Sequence, residues 1–240
     1  MNLTFLGTGD AVGTPKVGCS CGNCTLAREL GIERLRTSLL VEEKGQHLLI
    51  DTSPDLRRQL LAAGSPRIDA VIWTHGHYDH YSGYGEFYRI QDPPPVYAVE
   101  ETLSYCASLF SFLTLEEHRV EPYVPFTLCG LSVTLFPVNH PPVPTCGVRI
   151  ESPGGTVAYT CDTRADMPVR SKELLAGADL LVLDAIVPPE IRLSKHMNYA
   201  EAERVARDAG PREFRLVHLS HLIPWSLPRI ARDGECFRFP

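Results

Sequence analysis

The sequence lacks any apolar run approaching the roughly 18 residues that a bilayer crossing demands, and its first residues, Met1 to Asp10, lack the basic stretch and apolar core of an export signal. Both absences predict a cytoplasmic protein with no membrane partner. Basic charge is not in excess: 23 Lys and Arg against 29 Asp and Glu leave a net charge of -6. No general positive field therefore awaits a phosphate backbone, which argues against a long nucleic-acid partner and for a small substrate. There is no internal repeat and no low-complexity tract, and Asp92-Pro93-Pro94-Pro95 is a short rigid connector, not a domain linker. Without an export signal, the 8 cysteines are expected to be thiols or metal ligands and not a disulfide framework.

What is present suits a buried core: 240 residues, 44% of them hydrophobic, enough for residues 1–240 to form one domain. Short β-runs are expected at Asn2 to Leu6, Thr37 to Val41 and His47 to Ile50, the last two joined by a hairpin over Glu42 to Gln46. Leu56, Leu60 and Leu61 recur at helical spacing between Pro54 and Ala63, with Ser53 as the expected N-cap. Further strands are expected at Ala70 to Trp73, Val96 to Val99, Leu131 to Val138, Gly147 to Glu151, Thr156 to Thr160, Leu180 to Leu183 and Arg215 to Val217. Helical patterns fall at Glu101 to Leu109, Ser171 to Leu175 and Tyr199 to Ala209. The order predicts two mixed sheets with helices outside, an α/β architecture.

Directly after the apolar Ala70-Val71-Ile72-Trp73 comes Thr74-His75-Gly76-His77-Tyr78-Asp79-His80. Imidazole and carboxylate are ligands that borderline divalent metals prefer, and a tight turn can aim alternate residues at one ion and the next pair at another. The competing use is a solvated, His-rich surface turn. Isolated candidates follow where strands should end: His140, Asp162 and His218. Taken singly, each is as well explained as a turn former or a satisfied polar group.

Taken together with the Thr74 to His80 motif and nearby Gly83, they give a chain that resembles the metallo-β-lactamase superfamily over nearly its whole length. The resemblance implies a four-layer αββα sandwich. It implies that His75, His77 and His140 hold one divalent metal, that Asp79, His80 and His218 hold a second, and that Asp162 bridges them with a hydroxide between. Asp51, ending Leu49-Ile50-Asp51, looks like the family's early aspartate, which supports the histidine loop without binding metal; locally it reads equally as a turn aspartate.

Cys19-Ser20-Cys21-Gly22-Asn23-Cys24 offers three sulfurs in a turn near 19–24, and tetrahedral zinc would be completed by a fourth Cys or a His, for which His221 is the choice. Three reduced loop cysteines are the alternative. This cluster, with Val217-His218-Leu219-Ser220-His221, is similar to PhnP-type phosphodiesterases of the carbon–phosphorus lyase pathway, which carry a structural zinc of this composition. His196, in Ser194-Lys195-His196-Met197-Asn198, falls where phosphodiesterase branches place a histidine aimed at the leaving group; alone it reads as an exposed loop residue.

The resemblance thus implies a small cyclic phosphodiester substrate such as 5-phosphoribosyl 1,2-cyclic phosphate. Hydroxide would attack phosphorus, His196 would act as general acid, Asp79 and Asp162 would assist, and the active site would hold two Mn or Zn beside one structural Zn. The alternatives are hydrolysis of a lactone or thioester, a tRNase Z-like nuclease, and a PqqB-like protein of cofactor biosynthesis. A homodimer is allowed but not required. Cys106, Cys129, Cys146 and Cys236 are expected to be ordinary small hydrophobes and His47 and His118 surface residues, while Tyr78, Tyr84 and Phe87 near the metal loop are expected to pack in the core, with lining of the substrate pocket as the alternative. Cys161 is expected, by strand alternation, to face away from the side that Asp162 serves.

Overall fold

The computed structural model describes residues 1–240. In chain order its elements are β1 (Asn2–Gly7), α1 (Gly22–Leu30), β2 (Ser38–Glu43), β3 (Gln46–Ile50), α2 (Leu56–Ala62), β4 (Ala70–Ile72), α3 (Tyr78–Tyr81), α4 (Phe87–Ile90), β5 (Val96–Ala98), α5 (Glu100–Ala107), β6 (Glu117–Arg119), β7 (Phe126–Leu128), β8 (Leu131–Pro137), β9 (Cys146–Ser152), β10 (Gly155–Tyr159), α6 (Val169–Glu173), β11 (Leu180–Asp184), α7 (Tyr199–Ala209), β12 (Glu213–Val217) and β13 (Cys236–Arg238). The strands form two mixed sheets, one of 7 in the order β13-β1-β2-β3-β4-β5-β6 and one of 6 in the order β12-β11-β10-β9-β8-β7.

Both sheets are apolar on both faces, and that dictates four layers. On the inner faces Leu3, Phe5, Leu39, Leu48 and Ile50 of the first sheet meet Val133, Val148, Ile150, Val157 and Val182 of the second. The alternate residues turn outward: Leu40, Leu49 and Val71 pack under Leu56, Leu60 and Leu103 of the flanking helices, and Leu181, Leu183 and Leu216 under Ala202, Val205 and Ala206 of α7. Each fully buried Leu, Val, Ile or Phe side chain stabilises this arrangement by about 1.5–3 kcal/mol relative to exposure. Sheets covered on both sides read as continuous apolar runs, as β3 and β11 do.

The parallel pairs set the site. Strands β3, β4 and β5 run parallel in one sheet and β10, β11 and β12 in the other, so their C-terminal ends collect on one edge. Three residues at that edge, Asp51, Cys161 and His218, take left-handed φ of 62°, 54° and 57°. Such backbone costs on the order of 1–3 kcal/mol at each non-glycine residue and collects at functional sites. Gly83 is obligatory for another reason: a Cβ there would run into the Ser53 carbonyl.

Several expectations need correction. Ser53 does not cap α2. Asp55 occupies that position, while Ser53 Oγ accepts the Asp55 N–H at 3.1 Å and donates to Gln59 at 2.8 Å. The turn around the clustered cysteines runs straight into α1, which carries Cys24. The strands that the apolar pattern does not predict, β6, β7 and β13, are all sheet edges of three residues.

Candidate metal centres

Asp51, at the end of β3, organises the histidine loop. Its carboxylate is fully buried, accepts the Thr74 N–H at 2.8 Å and the Thr74 hydroxyl at 2.8 Å, and accepts His80 Nδ1–H at 2.7 Å. With its proton on Asp51, the Thr74 oxygen is left to accept His75 Nδ1–H at 3.0 Å and the Cys161 thiol at 3.0 Å. His140 Nδ1–H donates to the Lys195 carbonyl at 3.0 Å. These bonds commit Nδ1 of each ring, so that His75, His80 and His140 all turn Nε2 toward one space.

The atoms facing that space cannot satisfy one another. His77 Nδ1 lies 3.1 Å from both His75 Nε2 and His140 Nε2, and a single proton can serve only one of those contacts. His80 Nε2 and Asp162 Oδ1 are buried with no hydrogen-bond partner. Asp162 Oδ2 sits 3.7 Å from His75 Nε2 and 3.9 Å from His140 Nε2 on one side, and 3.5 Å from His80 Nε2 and 3.4 Å from His218 Nε2 on the other. Asp79 Oδ2 is 3.5 Å from both His80 and His218. Tetrahedral donors at roughly 2.0–2.1 Å from a cation stand about 3.3–3.4 Å apart. The donor set therefore fits two divalent cations sharing Asp162. His75, His77 and His140 come together on one side and Asp79, His80 and His218 on the other.

Electrostatics point the same way. Burial, with its imidazole neighbours, depresses His75 well below the ordinary range and His77 to about 4, which keeps them neutral as metal binding requires. Burial also depresses His140. Against the desolvation that burial imposes, His80 and His218 hold the Asp79 and Asp162 carboxyls below their usual range. His80 and His218 are in turn drawn upward, against burial, by the same carboxylates, His218 to about 9. The cluster of buried carboxylates is a field that selects cations.

Cys161 keeps the side of Val157 and Tyr159 in the core between the sheets, and its Sγ lies 3.6 Å from His75 Nδ1, on the opposite side of that ring from Asp162. Burial pushes its thiol up to about 12, so it stays protonated and serves as a donor.

His196 reaches the same edge. It stacks on His218 with ring centroids 5.1 Å apart and meets His140 edge-on at 4.6 Å. Its Nδ1–H donates to Asp184 Oδ2 at 2.8 Å. Burial opposes the charge, but Asp184 more than offsets it and His196 is raised above its ordinary value. The loop carrying it is pinned by Asn198, whose side-chain amide donates to the Pro189 and Ile191 carbonyls and whose Oδ1 caps α7 by accepting Glu201 N–H at 2.9 Å. Asp184, the fully buried last residue of β11, is the residue that sequence reasoning passes over. Its signal is the apolar run Leu180–Leu183 closed by an aspartate, the same signature that ends β3 at Asp51.

A second group lies apart. Cys19, Cys21, Cys24 and His221 come within metal-binding reach, with His221 Nδ1 3.4 Å from Cys19 Sγ and 3.5 Å from Cys21 Sγ. About 3.5 Å is the separation expected of sulfur and nitrogen donors on one tetrahedral zinc. The Lys16 N–H points at Cys24 Sγ at 3.3 Å, and Asn23 donates to the His221 carbonyl at 3.0 Å. The His221 contact draws the Cys21 thiol down to about 6, while burial pushes Cys24 up to about 11. A cation among these sulfurs would remove that imbalance, since coordination deprotonates thiols.

Of the remaining candidates, Tyr84 and Phe87 are core residues and Tyr78 is exposed. His118 stacks on Tyr97 and pairs with Glu116, and His47 is half-buried on β3; neither approaches the site. No helix is long and apolar enough to cross a membrane.

Residues 46–219 match the family model described as Beta-lactamase superfamily domain. Among solved structures, a diphosphatase from the PhnP family is similar over 100% of this chain and 98% of its own, with TM-score 0.89 and 32% identity. Among curated relatives, an octanoyltransferase of Porphyromonas gingivalis is 31% identical over 237 residues, 93% of this chain. The chain spans only 47% of that protein's length. The coenzyme PQQ synthesis protein B of Methylobacterium nodulans is 31% identical over 78% of this chain and 73% of its own.

Proposed function

The chain belongs to the beta-lactamase superfamily, and from that premise we propose that it is a dinuclear metal-dependent phosphodiesterase. Its substrate is a small cyclic phosphodiester such as 5-phosphoribosyl 1,2-cyclic phosphate. The observation that carries this reading is His196, an imidazole whose Nδ1–H is held by Asp184 at 2.8 Å at the rim of the metal centre. An alkoxide is a poor leaving group and needs a proton as the P–O bond breaks. A positioned imidazolium supplies it, typically for a factor of about 10²–10⁴ in rate.

His75, His77 and His140 would hold one cation, manganese or zinc, Asp79, His80 and His218 the other, and Asp162 would reach both. Bound there, the pair would lower the pKa of a water and neutralise phosphoryl oxygens. The chain's own part is to orient that water with Asp79 and Asp162, keep Nδ1 of His196 committed to Asp184, and leave its Nε2 proton for the departing oxygen. The likeness to a PhnP-family diphosphatase supports phosphorus as the electrophile. Cys19, Cys21, Cys24 and His221 would hold a structural zinc, tying an N-terminal loop to a C-terminal one.

The octanoyltransferase likeness favours a second reading, hydrolysis of an acyl thioester at the same centre. A thiolate leaves without needing a proton, so His196 separates the two. The experiment is turnover of the metal-loaded protein on bis(p-nitrophenyl) phosphate, phosphoribosyl cyclic phosphate, a 2′,3′-cyclic nucleotide, a lactone and an octanoyl thioester, with metal content measured on the same sample. Phosphodiester cleavage supports the first reading; cleavage of only the carbonyl compounds rejects it.

A further inference from the structure

His218 follows the end of β12 and His221 comes three residues later, so one short turn carries a candidate ligand for each of two metal centres. That turn is not relaxed. His218 holds a left-handed φ of 57°, a conformation that persists only where the surroundings over-determine it. Backbone does part of this. The Leu219 N–H donates to the Thr8 carbonyl at 2.9 Å, the Leu219 carbonyl accepts the Asp10 N–H at 3.2 Å, and the Ser220 N–H donates to the Ile186 carbonyl at 3.0 Å.

The remaining hold is a side chain. Arg34, 2% exposed, directs Nη1 to the Ser220 carbonyl at 3.1 Å and to the Ile223 carbonyl at 3.0 Å. Its guanidinium carbon lies 4.1 Å from the centroid of the Trp225 ring, whose Nε1–H donates to the Asn23 carbonyl at 3.2 Å, between Cys21 and Cys24. Arg34 thus grips the turn itself and, through Trp225, the cysteine loop. Burial draws Arg34 down to about 10, against the more distant charges of Asp233 and Asp10, so it remains a cation at neutral pH. Its Nη2 finds no hydrogen-bond partner. Burying a cation with an idle nitrogen and no ion pair is costly to the fold, so stability does not account for it. Direction does: a single nitrogen fixes two carbonyls of one strained turn.

We propose that Arg34 is a positioning residue for both metal centres, holding the turn so that His218 points at the cation shared with Asp79 and His80 while His221 points at the cysteine sulfurs. This rests on the dinuclear reading of the donor set and is indifferent to whether phosphorus or carbon is attacked. His75, His77 and His140 stand on other segments, so the cation they would hold should not depend on Arg34.

The test uses Arg34→Met, which removes charge and donors but keeps a long apolar stem, and Arg34→Lys, which keeps a cationic donor on a shorter one. Three measurements are made on each full-length protein: active-site metal affinity by chelator competition, unfolding of the metal-free chain by heat, and the sulfur-to-cobalt absorption of the cobalt-loaded protein, which reports the cysteine cluster alone. In Arg34→Met one active-site binding step should weaken about tenfold, the lower end of what ligand-orienting groups contribute, while the other step holds. The cobalt–sulfur absorption should change, the metal-free chain should unfold close to the wild-type temperature, and Arg34→Lys should recover much of the lost affinity. Unchanged affinity and absorption in Arg34→Met overturns the proposal. Equal weakening of both active-site steps, or earlier unfolding of the metal-free chain without rescue by Arg34→Lys, overturns it too, since Arg34 would then serve the fold alone. A wild type that binds metal only at the cysteine cluster removes the dinuclear reading itself.

Discussion

Replacing Asp184 by Asn removes one charge while nearly preserving shape. Asp184 is fully buried, and its Oδ2 accepts both His196 Nδ1–H at 2.8 Å and the Thr163 N–H at 3.1 Å. An amide oxygen in that place can accept both, so the fold should survive and His196 should keep its direction. What disappears is the charge-assisted part of the bond, worth about 1–1.5 kcal/mol, or roughly 5–13-fold. That lies below the roughly 10²–10⁴ a general acid contributes, so the variant should be impaired and not dead. The loss should fall where the proton matters: alkyl and ribosyl leaving groups slow by the full factor, p-nitrophenol hardly at all. The pH profile should move too. Burial depresses His196, but Asp184 holds it above its ordinary value, and the working form is the acid, present below that pKa. Without Asp184 the alkaline limb of kcat must shift to lower pH. The assay is kcat over a series of phosphodiesters of graded leaving-group pKa, with metal content checked because Asp184 Oδ1 is also 3.8 Å from His218 Nδ1. Equal slowing of every leaving group at unchanged metal content would refute the reasoning.

Asp162→Ala should abolish turnover while the protein retains the zinc of the Cys19, Cys21, Cys24 and His221 cluster, read by elemental analysis; comparable turnover in that variant would rule out the shared carboxylate. Cys21→Ser and His221→Ala should each lose that same zinc and leave the other metals in place, and loss of different metals by the two would dissolve the cluster. Asp51→Asn cannot offer acceptors to the Thr74 N–H, the Thr74 hydroxyl and His80 Nδ1–H at once, so active-site metal affinity should drop about 10–100-fold in a chelator competition. Desolvation pushes the Asp233 carboxyl from 3.8 up to about 6, so between those pH values the folded state binds more protons and stability falls as pH rises, by about 3 kcal/mol. Urea titrations at pH 4 and pH 6 should show that decline in the wild type and a shallower one in Asp233→Asn.

The parts of the fold legible in the sequence are those where burial is symmetrical. β3, β8, β10 and β11 lie inside sheets covered on both faces, so their apolar runs announce them. β6, β7 and β13 are silent because an edge strand needs only a few pairing residues and carries exposed, often charged, side chains such as Glu117 and Arg119. The histidines were legible because five of the proposed active-site donors sit in or just after strand-ending segments, whose spacing along the chain is visible. Three features were not. His221 meets the cysteines across 200 residues of chain, a closure that local pattern cannot announce. Cys161 faces the inter-sheet core as period-two alternation predicts, but its meeting with Thr74 joins residues 87 apart in the chain, which local pattern does not announce. Asp184 offers the same apolar-run-then-aspartate signature as Asp51, yet its role depends on a loop 12 residues later returning His196 to it. Ligands are written in residue type and strand position. The groups that orient them are written in backbone conformation and loop return, which only the folded chain displays. Left-handed φ at Asp51, Cys161 and His218 marks where the two meet: at each of these strand ends the backbone bears a conformational cost on the order of 1–3 kcal/mol that packing alone does not require and that the direction of one side chain at the metal edge does.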